Sequence, residues 1–162
     1  MNTNVKQAIA EFFNSVEQLK KLGVIRSDKY LGDLGEYICK HFYDIELAKS
    51  GRQEGHDGTD PEGLVQVKYH GSATRTNIDL GDPDEYKNLL VVLGPNSRLR
   101  NRETSGDFLV YRIPAEQARQ HRQGTSNTYS CGRELFCRTP DNILFLNQKQ
   151  EILENTPESR PS

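Results

Sequence analysis

Long apolar runs are missing from this 162-residue chain, and none approaches the roughly 20 residues a membrane-spanning helix needs. The opening residues Met1-Asn2-Thr3-Asn4-Val5-Lys6 lack the apolar segment of a secretory signal. Cysteine is scarce. Cys39, Cys131 and Cys137 are an odd count without framework spacing, which argues against a disulfide scaffold and for a reducing, cytoplasmic setting. Internal repeats and low-complexity blocks are also absent. An excess of positive charge is missing too, since 21 Lys and Arg face 23 Asp and Glu for a net charge of -2, which argues mildly against coating nucleic acid by charge alone.

What is present suits a hydrophilic globular protein: 27% charged and 34% hydrophobic residues, in a length that makes one domain. The expected organisation is a single domain over residues 1–153, with a helix in 1–23 packing on it and a disordered tail over 154–162 carrying Pro157 and Pro161. The small net charge hides a segregation. From Asp28 to Glu62 there are nine acids against four Lys/Arg, and from Arg98 to Arg138 eight Arg, no Lys and four acids.

Helical spacing of Val5, Ile9, Phe12, Val16 and Leu19, closed by Gly23, predicts an amphipathic helix over about 4–22. Ser27 or Asp28 is placed to cap a second helix with the apolar face Leu31, Leu34, Ile38 and Phe42. Glu36 lies on it, off the centre of the buried stripe. Strands are expected at Tyr43 to Ala48, His56 to Asp60 and Leu64 to His70, with Asp60-Pro61-Glu62-Gly63 as a tight turn. Gly71 to Asp84 reads as a long loop. The continuous run Leu89 to Gly94 reads as a strand buried on both faces, and Phe108 to Ile113 as another. An Arg-rich loop spans Asn96 to Gly106. Pro114 is expected at the first position of a helix over Ala115 to His121. Tyr129 to Arg138 reads as a hairpin turning at Gly132-Arg133, and Ile143 to Leu146 as a last strand. This order argues for an α/β domain on a mixed sheet.

The hairpin His56 to His70 carries the chemistry. Alternation puts Leu64, Gln66, Lys68 and His70 on one face and Val65, Val67 and Tyr69 on the other. An acid on one strand, an amide oxygen beside it and an ammonium one step on are what a metal-dependent phosphodiesterase needs. Asp57, between glycines, is the chosen acid. Asp60 and Glu62 stand nearby, but turn positions favour acids for local backbone hydrogen bonding. The bland alternative is a solvated hairpin whose charges face water.

A helical Glu, then Gly-x-Asp, a short turn and Gln-x-Lys resembles the PD-(D/E)XK nuclease superfamily, and more narrowly its restriction-endonuclease-like branch with a Q-x-K motif. The resemblance covers roughly residues 30 to 113. It implies a three-layer α/β fold with a central mixed sheet flanked by helices. It also implies catalytic residues Glu36, Asp57, Gln66 and Lys68, and a metal held by Glu36, Asp57, Gln66 and the Val67 carbonyl. Oxygen donors select Mg²⁺, with Mn²⁺ as substitute, over zinc. Lys68, as a cationic ammonium, suits stabilising phosphoryl charge or holding the attacking water better than acting as general base. Gln66 is the departure, since most members carry an acid there and Gln variants include active and dead proteins.

Arg98, Arg100 and Arg102 are the expected DNA-backbone contacts, with His70 touching the scissile strand or merely occupying an edge. His121, Cys131 and Cys137 do not have zinc-knuckle spacing. The function these residues imply is a Mg²⁺-dependent DNA endonuclease in restriction or foreign-DNA defence, acting as a homodimer to cut both strands. The alternatives are a repair or junction-resolving nuclease, a non-catalytic DNA-binding or complex-forming subunit of the same fold, and an unrelated α/β interaction protein.

Overall fold

The computed structural model describes residues 1–21, 31–48 and 55–147. Contacts gather in two compact units, Met1–Ser27 with Leu144–Ser162, and Asp28–Ile143. The first contains α1, Thr3–Lys21, on which Ile9 and Val16 are buried while Phe12 stays exposed. Asn2 starts it by accepting the Asn4 N–H on its side-chain oxygen at 2.8 Å. Lys20 and Lys21 end it, where the helix dipole favours cations. The predicted caps Gly23, Ser27 and Asp28 and the predicted tail 154–162 lie outside the described residues.

The second unit is a mixed α/β fold. The elements after α1 are α2 (Leu31–Phe42), β1 (Glu46–Leu47), β2 (Gly58–Asp60), β3 (Gly63–His70), β4 (Ile78–Asp79), β5 (Asn88–Leu93), β6 (Phe108–Pro114), α3 (Ala115–Arg119), β7 (Ser130–Cys131), a 3-10 helix (Arg133–Phe136) and β8 (Asn142–Leu144). The main sheet runs β1-β2-β3-β5-β6-β8, with β3 and β5 parallel and the β1–β2, β2–β3 and β5–β6 pairs antiparallel. All six residues of β5 are buried, as a continuous apolar run at the sheet centre predicts.

One face of the sheet is covered by α2. Gly35 brings this helix close, since a Cβ there would meet Tyr69 Cβ at 3.3 Å. The opposite face carries the main core, in which Leu89, Val91, Leu93, Leu109, Tyr111 and Ile113 pack under Ile78, Leu80, Tyr86 and Phe136. The turn after β2 is as expected, with Gly63 at a φ of 137° that only glycine adopts without strain.

Three expectations are corrected. The segment 71–84 is not all loop: β4 lies within it and pairs with β7. Residues 129–138 are not a hairpin, because β7 joins β4 and the chain then winds into the 3-10 helix. The reason is burial. Leu135 and Phe136 are adjacent and both enter the core, where Phe136 packs edge-on against Tyr111 at 5.1 Å. Adjacent strand residues would face opposite sides. Pro114 ends β6 in extended conformation (φ -60°, ψ 145°) and caps α3 rather than opening it.

Candidate functional site

Asp57 sits just before β2, and its backbone is held from both sides. Its N–H donates to the Val65 carbonyl at 2.8 Å, and its carbonyl accepts the Ala48 N–H at 2.8 Å. Gly58 allows this crowding, since a Cβ there would lie 2.6 Å from the Glu46 carbonyl oxygen. The Asp57 side chain therefore leaves a fixed backbone toward β3. Its Oδ2 accepts the Gln66 Nε2 at 2.5 Å and the Val67 backbone N–H at 2.6 Å. Among the described residues, no hydrogen bond engages Oδ1. The predicted acid and the Gln-x-Lys strand are thus in direct contact.

Glu36, on α2, is half-buried. Burial first, and then the charges of Asp57 and Asp33, hold its carboxyl above the ordinary range. Burial also pushes the Asp57 carboxyl up, against the Val67 N–H and the Lys68 and His56 charges. Cys39 lies beneath, its thiol pushed up by burial and then by the Glu36 and Asp57 charges. The two acids therefore share one negative field at the edge of the sheet.

Lys68 is half-buried, one step along the same face as Gln66. Gly81 lies beside it, since a Cβ there would be 3.9 Å from Lys68 Nζ. Among the described residues its ammonium makes no hydrogen bond or ion pair, and it remains within electrostatic reach of Asp57.

The neighbouring acids are committed elsewhere. Asp60 Oδ1 accepts the N–H groups of Glu62 (2.8 Å) and Gly63 (3.1 Å), and Oδ2 accepts Arg112 at 2.7 Å. Glu62 accepts Asn88 (2.8 Å) and Arg112 (3.0 Å). Both fix the turn, which leaves Asp57 as the acid facing Gln66.

The face of β3 expected to stay open does not do so along its length. Leu64 is exposed, Gln66 and Lys68 are half-buried, and His70 is only 1% exposed. Register explains the gradient: Gln66, Lys68 and His70 lie beside Leu89, Val91 and Leu93 of β5, so the face runs beneath the main core. His70 Nδ1 is 2.7 Å from Ser97 Oγ, and among the described residues its Nε2 has no hydrogen-bond partner. A side chain so enclosed does not touch a nucleic-acid strand.

Arg100 also departs from expectation. Its guanidinium donates to the carbonyls of Gly94 (3.2 Å), Asp107 (2.9 Å) and Gly106 (2.5 Å), tying the ends of the Arg-rich loop together. Arg98 and Arg102 are exposed, and Arg133 joins them by donating to the Arg100 carbonyl at 3.2 Å. Its position in an expected hairpin turn gave no sign of this. Among the described residues no three His, Cys, Asp or Glu side chains gather into a metal-ligating group, His121, Cys131 and Cys137 included.

The donors that could face a cation are the Asp57 and Glu36 carboxylates, the Val67 carbonyl and the Gln66 amide oxygen. All are hard oxygen donors of the kind Mg²⁺ and Mn²⁺ accept, with water completing the shell. With Nε2 turned to Asp57, the Gln66 amide would have to rotate to lend its oxygen. Comparison with protein-family models and with curated proteins returned no match.

Proposed function

We propose that this chain is a metal-dependent DNA endonuclease of restriction-endonuclease-like fold, serving restriction or another defence against foreign DNA and cutting both strands as a homodimer. The observation that carries the reading is the contact of Asp57 with both Gln66 and the Val67 N–H, across a nine-residue separation and a tight turn. Glu36 and Asp57 would hold Mg²⁺ with the Val67 carbonyl, and a bound cation would supply Lewis acidity toward a phosphoryl oxygen. The residues' own contributions are separate. The Val67 N–H fixes the Asp57 carboxylate, and the free Lys68 ammonium faces developing phosphoryl charge.

One observation favours a second reading, a non-catalytic subunit of the same fold that binds DNA or a partner. Gln66 already satisfies one oxygen of Asp57, as it would in a site that works without a cation.

Incubation of linear, nicked and branched DNA with the wild-type chain, in Mg²⁺ and in EDTA, separates the two. The nuclease reading expects Mg²⁺-dependent cleavage, lost in Asp57→Asn and reduced on the order of a hundredfold in Lys68→Ala. Binding without cleavage under every condition supports the subunit, and neither binding nor cleavage removes both.

A further inference from the structure

A cavity of about 460 Å³ opens where β3 and β5 end, and it is lined by Arg98, Arg100, Arg102 and Arg133 together with Asn96, Thr104 and other residues. No carboxylate and no aromatic ring lines it. Several arginines elsewhere are neutralised. Arg112 pairs with Asp60 and Glu62, Arg119 with Asp84, and Arg138 with Asp141. Among the described residues, Arg98, Arg102 and Arg133 pair with no carboxylate. Like charges repel, so three unneutralised guanidiniums around one cavity carry a cost that an anion would relieve.

The frame is rigid where a ligand site needs it to be. Arg100 spends its donors on three loop carbonyls, and Ser97 is anchored beneath by His70. Arg98 and Arg102 project from this brace. Guanidinium forks match phosphate oxygens bidentately, whereas without an aromatic ring the cavity offers no stacking surface for a base. Its volume falls in the range of small-molecule sites, roughly 300–1,000 Å³, so it exceeds what one phosphate fills.

We propose that this cavity is a phosphoryl-binding site, distinct from the Asp57 site, that takes phosphate groups of a nucleic-acid strand or of a small phosphate anion. His70, hydrogen-bonded to Ser97 of its lining, lies four residues along β3 from Gln66, or about 13 Å at strand rise. A strand could thus be gripped here by its phosphates some way from Asp57. This deepens the reading of Arg98 and Arg102 as backbone contacts and rests on the nuclease reading only for its strand-borne form.

The test uses the full chain in EDTA, which separates it from any metal-dependent step. Anisotropy of a labelled, 5′-phosphorylated single-stranded oligonucleotide and calorimetry with pyrophosphate would be compared for wild type, Arg98→Gln/Arg102→Gln and Arg119→Gln. The double variant should lose tenfold or more in affinity with unchanged circular dichroism, while Arg119→Gln binds as wild type does. Loss of oligonucleotide binding alone identifies a strand as the ligand, and loss of pyrophosphate binding identifies the small anion. Unchanged affinity of a folded double variant for both probes, or no binding of either by wild type, overturns the proposal. Failure of cleavage with intact phosphate binding would instead count against the nuclease reading alone.

Discussion

Gln66 and Asp57 are joined by a 2.5 Å hydrogen bond from Nε2 to Oδ2, and the same oxygen accepts the Val67 N–H. One amide thus stands where a second acid would sit in a more acidic site. It removes a like charge from beside Asp57 and gives that carboxylate a donor.

Gln66→Glu should reverse that balance. It exchanges a charge-assisted hydrogen bond for a carboxylate pair, so the metal-free protein should lose about 2 kcal/mol or more. Mn²⁺ should then raise the midpoint of thermal unfolding further in Gln66→Glu than in wild type. Equal midpoints with and without Mn²⁺ in both proteins would mean that the cluster holds no cation.

Asp57→Asn should stabilise the chain at neutral pH. Burial raises the Asp57 and Glu36 carboxyls, and the Asp57 and Asp33 charges raise Glu36 further, so their ionisation opposes folding above those raised values. The penalty shrinks as pH falls and is gone below the ordinary carboxylate values of about 4. The Asn oxygen can take the place of Oδ2 and still accept both the Val67 N–H and the Gln66 amide. Unfolding midpoints at pH 7.5 and pH 4 should show a gain in the variant at the first and none at the second. A loss at pH 7.5 would mean that the hydrogen bonds outweigh the charge.

His70 gives the opposite slope. Burial lowers its pKa, so it folds neutral, and its contribution is complete above the unfolded value of about 6.5 and falls as pH drops below that. His70→Leu should be less stable at pH 7.5 through the lost contact with Ser97, by roughly 1–3 kcal/mol. Its stability should fall less than wild type between pH 7.5 and 5.5. Parallel pH profiles for the two proteins would exclude this role.

Asp60→Ala should damage the fold and spare cation binding. It removes the acceptor of two turn N–H groups and leaves Arg112, whose side chain is 19% exposed, with one carboxylate partner, Glu62. A loss of about 2–4 kcal/mol in denaturant unfolding is expected, with Mn²⁺ affinity by calorimetry unchanged at low denaturant. Loss of Mn²⁺ binding in a folded Asp60→Ala protein would move the candidate acid from Asp57 to Asp60.

Local rules wrote much of this protein into its sequence. Helical spacing located α2, the apolar run gave β5, and Asp60-Pro61-Glu62-Gly63 gave the turn that sets Asp57 against Gln66. Those features depend on neighbours in the chain, so periodicity and turn chemistry suffice to read them. Alternation likewise put Gln66, Lys68 and His70 on one face. Only the parallel pairing with β5 decided that this face passes from half-open to sealed, because Leu93 and Ser97, remote in sequence, enclose His70. The same holds for the arginines. Charge counting found an Arg-rich stretch, but three backbone carbonyls turned Arg100 into a brace, and the burial of Leu135 and Phe136 brought Arg133 to the cavity. Which cations stay free depends on contacts between distant segments, and only the tertiary structure makes them.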